Sequence, residues 1–212
     1  MAELRVKETG TLKLFESDNT SSVTIASPAS LGGDRTITLP DADVTLASGT
    51  MATTNGITVA DQWRLTANLT VTSGDEFFTT NLEQVDTAGQ GTLGSAMTES
   101  NGVFTFPSSG IYLVEYGIYT FDNVDTYTYC YNKIFATINN ADYTTIAQGT
   151  TSQQGTMSGY PEKTAIINSL VDVTNTTNVK VKFAYNSGST IIIKGDSAVN
   201  RTFFTFIRLG DT

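Results

Sequence analysis

The chain has 212 residues, with 12 Lys or Arg against 21 Asp or Glu, no His and one Cys, for a net charge of −9. Without imidazole there is no Ser-His-Asp triad and no His-ligated metal, and one Cys makes neither an intrachain disulfide nor a thiolate zinc site. The acidic balance argues against nucleic acid as a partner, and no run approaches the ~20 apolar residues of a spanning helix, so no membrane insertion is expected.

Residues 1–50 are thin in apolar mass. They hold no Tyr or Trp and a single Phe, Phe15. Their apolar residues come as period-two pairs: Leu12/Leu14, Val23/Ile25, Ile37/Leu39 and Val44/Leu46. Turn formers separate the pairs, so four short strands are predicted. This little side-chain mass does not offset the entropy of ordering the segment. It is therefore expected to be ordered by other copies of itself or by a larger assembly. Residues 51–59 are small and polar, with Gly56, and read as a linker.

Residues 60–212 hold nearly all the aromatics and the only Trp, Trp63. Strands are predicted at 62–67, 76–82, 103–106, 111–121, 127–138, 143–147, 164–173, 179–185, 190–194 and 202–209. Gly, Asn, Asp and Ser punctuate them, and no helix-period stretch competes. Thr fills about one position in six, and its branched Cβ suits a pleated, half-wet surface. The fold class read from this pattern is all-β, an antiparallel β-sandwich or barrel. The predicted strand 111–121 is apolar on both faces, with Ile111, Leu113 and Tyr119 on one and Tyr112, Val114, Tyr116 and Ile118 on the other. Such a strand is expected between two layers.

Residues 102–114, GVFTFPSSGIYLV, resemble the "G-x-F-T-x-P-x-x-G-x-Y-x-F" signature of the complement globular-head and tumour-necrosis-factor-like jelly rolls. Residues 169–173 with 178–183 are similar to that family's penultimate strands, and 201–209, RTFFTFIRL, to its closing "S-T-F-x-G-F-x-L", with Thr205 where the family has Gly. The resemblance covers about 145 residues and implies a jelly-roll head that forms a homotrimer. Residues 12–43 carry "V-T-I-x-x-P-x-x-L … T-x-T-L-P-x-x-D". This is similar to short β-rich segments of virion appendage proteins, notably in phages of aquatic bacteria.

Several residues are candidate sites. Leu12, Leu14, Val23, Ile25, Ile37, Leu39, Val44 and Leu46 are the candidate virion-anchoring positions. Tyr127, Tyr129 and Tyr131 alternate on one strand face. They are read as a trimer interface, with sandwich core or a platform for a host surface glycan or receptor as alternatives. No Lys or Arg occurs between Arg64 and Lys133, a stretch holding Asp75, Glu76, Glu83, Asp86, Glu99, Glu115, Asp122 and Asp125. Asp122 and Asp125 are the candidate Ca²⁺ ligands, set against an ordinary solvated acidic face. Cys130 is expected to be a small buried hydrophobe. Carboxylate pairs such as Asp41/Asp43 sit on a scaffold too thin for catalysis, and no enzymatic activity is expected.

The sequence thus reads as a non-enzymatic phage structural protein, a trimeric fibre, spike or decoration protein. Residues 1–50 would anchor it to capsid, collar or tail proteins, and residues 60–212 would form the displayed head. It would be made in the host cytoplasm, because the charged N-terminus lacks a signal-peptide core, and would finish on the virion surface. Two alternatives stand beside this: a capsid cement protein clamping neighbouring capsomers, and a non-viral carbohydrate-binding jelly roll.

Overall fold

Period-two alternation becomes paired strands in both parts of the chain. The computed structural model describes residues 11–26, 56–71, 74–121, 128–153 and 161–212. The chain divides into two units, Met1–Met51 and Ala52–Thr212.

In the first unit, β1 (Thr11–Phe15) and β2 (Ser22–Ala26) form an antiparallel hairpin. Its register sets Leu12 opposite Ile25 and Leu14 opposite Val23. The turn is held by side chains: the Asp18 carboxylate accepts from the Thr20 amide at 3.1 Å, and Glu16 accepts from the Thr20 hydroxyl at 2.7 Å. Asn19 takes φ 61°, a left-handed conformation that Asn tolerates well. Leu14, Phe15 and Ile25 are exposed. The predicted strands around Ile37/Leu39 and Val44/Leu46 lie outside the described residues.

The second unit is a sandwich of two antiparallel sheets. Its strands are β3 (Ala60–Leu65), β4 (Leu69–Val71), β5 (Gly74–Phe77), β6 (Leu82–Gln84), β7 (Thr98–Ser100), β8 (Val103–Thr105), β9 (Gly110–Phe121), β10 (Thr128–Thr137), β11 (Thr144–Gln153), β12 (Glu162–Val173), β13 (Lys180–Ser187), β14 (Ile191–Ile193) and β15 (Phe203–Gly210). One sheet runs β4-β14-β9-β15-β3-β6, with β12 paired along the other side of β9. The second runs β11-β10-β13-β8-β7, with β5 also paired to β13. They are called the β9 sheet and the β10 sheet below.

Why the sheets stack is plain from the inward positions. β9 turns Tyr112, Val114, Tyr116 and Ile118 inward, and all four are fully buried. β13 contributes Val181, Phe183 and Tyr185, and β15 contributes Phe204 and Phe206. Their rings interlock: Phe183 lies 4.3 Å from Phe204, Phe106 4.7 Å from Tyr112, and Phe78 4.8 Å from Tyr185. Such ring pairs add stability beyond the area they bury.

Two glycines of the "G-x-F-T" segment have backbone reasons. Gly102 takes φ 79°, and a Cβ there would fall 2.0 Å from the Phe78 carbonyl oxygen. Gly110 opens β9 at φ 141°, and a Cβ there would fall 2.5 Å from the Gly210 carbonyl oxygen. Both permit approaches that only glycine allows.

Some elements differ from the sequence expectation. The run 76–82, expected as one strand, is two, β5 and β6. Phe78 turns into the core, and Asn81 takes φ 57° while its carbonyl accepts from the Thr66 amide at 2.8 Å. The three-residue strands β4 and β7 have no predicted counterpart, since runs so short carry little alternation. β9 was expected to be buried on both faces. In the chain itself its second face, with Ile111, Leu113 and Tyr119, points outward and is half-buried.

Candidate functional site

The outward face of the β9 sheet is organised in transverse rows, which the strand register fixes. Leu170, Leu113, Ile207 and Ala60 make one row across β12, β9, β15 and β3. Asn168, Glu115, Thr205 and Gln62 make the next, and Ile166, Gly117, Phe203 and Arg64 the third. Leu170 is 63 % exposed and Ile166 55 %. The Phe203 ring lies over Gly117, where a Cβ would come within 2.4 Å of it. Thr205, the departure from the family's Gly, is part of the polar row and accepts from the Gln62 amide at 2.8 Å.

At the free edge of β12 this face meets an apolar groove between the two sheets. Ile138, Ile146, Leu170, Val171 and Val179 line it, together with Asp172. Ile138 is 80 % exposed.

At the other side of the sheet two polar groups are locked in place. The Arg64 side chain is fully buried on the outward face, yet every donor group is engaged. Nε meets Glu83 at 2.7 Å, one terminal nitrogen meets Asp86 at 2.8 Å, and the other donates to the Thr87 hydroxyl at 2.8 Å. Asp61, on the core side, accepts from the Trp63 indole at 2.9 Å, the Gln84 amide at 2.9 Å and the Met97 backbone N–H at 2.8 Å. Nothing in the sequence singled out Asp61, because its partners are up to 36 residues away.

The β10 sheet presents a different outward face. Cys130, Asn132 and Ile134 point inward and are buried, so Tyr129, Tyr131, Lys133 and Phe135 point outward. The core alternative for Tyr129 and Tyr131 is therefore replaced by an outward placement, on the opposite side of the sandwich from the aliphatic rows. Their rings are 5.0 Å apart, tilted by 50°. Cys130 is the buried one, and burial pushes its thiol up to about 12. Register places Tyr131 between Asn186 of β13 and Thr150 of β11, with Asp75 of β5 beyond Asn186. Asp75 Oδ1 accepts from Lys133 Nζ and from the Asn186 amide, both at 2.7 Å. These two donors hold the Asp75 carboxyl below the usual range. Further along, Phe77 and Phe135 meet edge to face at 5.2 Å, and Lys182 Nζ sits 4.6 Å from the Phe77 ring centre and 3.8 Å from that of Tyr143. Tyr127 lies outside the described residues.

Five residues of the acidic stretch have partners within the fold. Glu83 and Asp86 hold Arg64, and Asp75 holds Lys133. Glu76 accepts from the Tyr185 hydroxyl at 3.0 Å, and Glu99 from the Gly102 amide at 2.6 Å. Asp122 and Asp125, the Ca²⁺ candidates, lie outside the described residues. Among the described residues no group of three or more Cys, Asp or Glu side chains is placed to hold a metal ion. No helix among them is long and apolar enough to cross a membrane.

Comparison with solved structures decides the fold. The chain is similar to Eiger TNF from S. frugiperda, with a TM-score of 0.54 and 15 % identity over 73 % of this chain and 94 % of that one. The head is a TNF-like jelly roll. Murine APRIL at pH 5.0 is also similar, with a TM-score of 0.47 and 11 % identity over 71 % of this chain and 98 % of that one. No protein-family model and no curated protein sequence matches the chain.

Proposed function

We propose that the protein is a non-enzymatic structural component of a phage particle, a homotrimeric fibre, spike or decoration protein whose jelly-roll head contacts the host surface. The observation that carries the assembly is the outward face of the β9 sheet. Rows of Leu, Ile and Phe on a sheet face call for a cover, and the apolar groove at the β12 edge supplies one from a neighbouring copy. A face meeting an edge is a heterologous contact, which closes into a ring when the rotation fits. The jelly-roll fold and the "G-x-F-T-x-P" resemblance favour a ring of three. Three heads on one spike, and many spikes on one particle, turn weak contacts into avidity.

The virion assignment draws on the "V-T-I-x-x-P" resemblance of residues 12–43 and on the exposed apolar side chains of Leu14 and Ile25 in the first hairpin. A two-stranded hairpin is marginal by itself, so these residues suit an anchor that pairs with capsid, collar or tail proteins.

Assembly is tested by Leu113→Asp, which places a charge in the middle of the aliphatic row. The expected outcome is a shift from trimer to monomer in sedimentation velocity, with the melting curve of the head retained. A variant that stays trimeric removes this face from the interface. The biological role is tested by deleting the gene from its phage. Adsorption to the host is expected to fall while heat survival of the particle holds. The reverse pattern, lost heat survival with normal adsorption, assigns the trimer to capsid cement.

A further inference from the structure

We propose that the outward face of the β10 sheet binds a neutral saccharide, stacked on Tyr129 and Tyr131 and hydrogen-bonded through Asp75, Asn186 and Lys133. The inference rests on the host-contact reading and sharpens it to one surface and one ligand class. Aromatic faces pack on the C–H faces of sugar rings, and hydroxyls need fixed polar groups beside them. Both elements are here in one transverse row, Asp75–Asn186–Tyr131–Thr150.

The polar groups are already positioned. Both bonds to Asp75 converge on Oδ1, and its side chain is 50 % exposed, which leaves the other oxygen for an incoming hydroxyl. Asn186 spends an amide N–H on Asp75, which orients its carbonyl oxygen. Lys133 reaches the same carboxylate and keeps further N–H donors for a ligand. A site whose hydrogen-bonding groups are held before binding loses less entropy on binding. The platform has a steric provision as well. The Tyr129 ring rests on Gly188, where a Cβ would come within 2.4 Å of the ring. Glycine there lets the ring lie down on the sheet.

Charge and composition select the ligand. In a chain of net charge −9, the charges beside Tyr129 and Tyr131 are balanced, Lys133 against Asp75, while Lys182 lies further along over Phe77 and Tyr143. A balanced patch matches a neutral polyhydroxyl ligand. The outward positions of β10, β13 and β5 carry no aliphatic residue larger than Ala184. An apolar protein partner of the kind that suits the β9 sheet would find little to bury here.

The test titrates the full-length protein with neutral oligosaccharides of glucose, galactose and mannose, first on an array and then by calorimetry. At least one is expected to bind. Tyr131→Ala and Asp75→Ala are each expected to weaken it by about tenfold, the loss of one stacking or hydrogen-bonding contact. Tyr131→Phe is expected to bind within about threefold of wild type. Thr150→Arg, an exposed position beside Tyr131, is expected to block the platform without touching the core. Absence of binding to every panel member overturns the proposal, as does binding that survives both Tyr131→Ala and Thr150→Arg. The Leu113→Asp variant separates the two readings. Monomeric Leu113→Asp heads that still bind the sugar uphold both, and a wild-type trimer that binds none, with a monomeric variant, defeats only this one.

Discussion

On the β9 sheet the outward positions of β9, β12 and β15 include Leu113, Ile207, Phe203, Ile166 and Leu170, with one polar row between them. On the β10 sheet they are Tyr129, Tyr131, Lys133, Phe135, Lys182 and Asn186. The inward positions of both sheets are alike, since both feed one aromatic core. Alternation alone therefore tells which positions face out, and the residue types there tell what is to cover them. Aliphatic rows gain from burial against another protein surface. Aromatic and hydrogen-bonding positions do well half in water, where a small polar ligand comes and goes.

The two faces also hold their cations differently, and this gives a way to break the comparison. Arg64 is fully buried beneath Glu83, Asp86 and Thr87, which ties β3 to β6 and the segment after it. Arg64→Ala strands two carboxylates and opens space on that face. A loss of about 3 kcal/mol is expected, at the low end for a broken buried pair because Asp86 is already well exposed. That corresponds to a fall in Tm of roughly 6–12 °C for a domain of this size. A change within about 1 °C would mean that the face is held by its apolar rows alone. Lys133 has the same kind of partner on the other sheet, but Asp75 is half exposed. Lys133→Ala is expected to cost at most about 1 kcal/mol, the range of a surface pair. Urea midpoints for the two variants measure the contrast directly. Equal losses would erase it.

Much of this architecture is legible in residues 60–212. β9, β10, β12, β13 and β15 lie within two residues or so of the predicted runs, because long strands repeat their alternation often enough to read. The "G-x-F-T-x-P-x-x-G-x-Y" segment marked the turn into β9, where Gly102 and Gly110 are required by the backbone. The candidate site was legible only in part. Tyr129 and Tyr131 stood out, but the residues that complete their surroundings, Asp75 and Asn186, come from β5 and β13, over 50 residues away on either side. Pairing across a sheet, which no local pattern records, brings them together. Asp61 escaped for the same reason. Arg64 and the acidic stretch were noticed, yet as a charge imbalance rather than as the partners they become.

The smallest effect expected is the pH dependence of the Asp75 pair, and it is also the most specific to the β10 face. Lys133 and then Asn186 lower the Asp75 carboxyl from its ordinary value of 3.8. A carboxyl lowered by folding contributes stability above its unfolded value, and that contribution is lost as pH falls through the folded one. The gap in urea midpoint between wild type and Asp75→Asn should therefore be constant from pH 7 down to about 5, begin to narrow at about pH 4 and close only once the pH is below the lowered folded-state carboxyl. Because the carboxylate is half exposed, the gap is also expected to shrink in 1 M salt, where charges on a surface are screened within about 3 Å. Oligosaccharide affinity should fall as the pH drops through the lowered Asp75 titration, since the protonated carboxyl releases Lys133 and accepts more weakly. An Asp75→Asn variant that binds the oligosaccharide with wild-type affinity and wild-type pH dependence would take Asp75 out of the site while leaving the tyrosine platform in place.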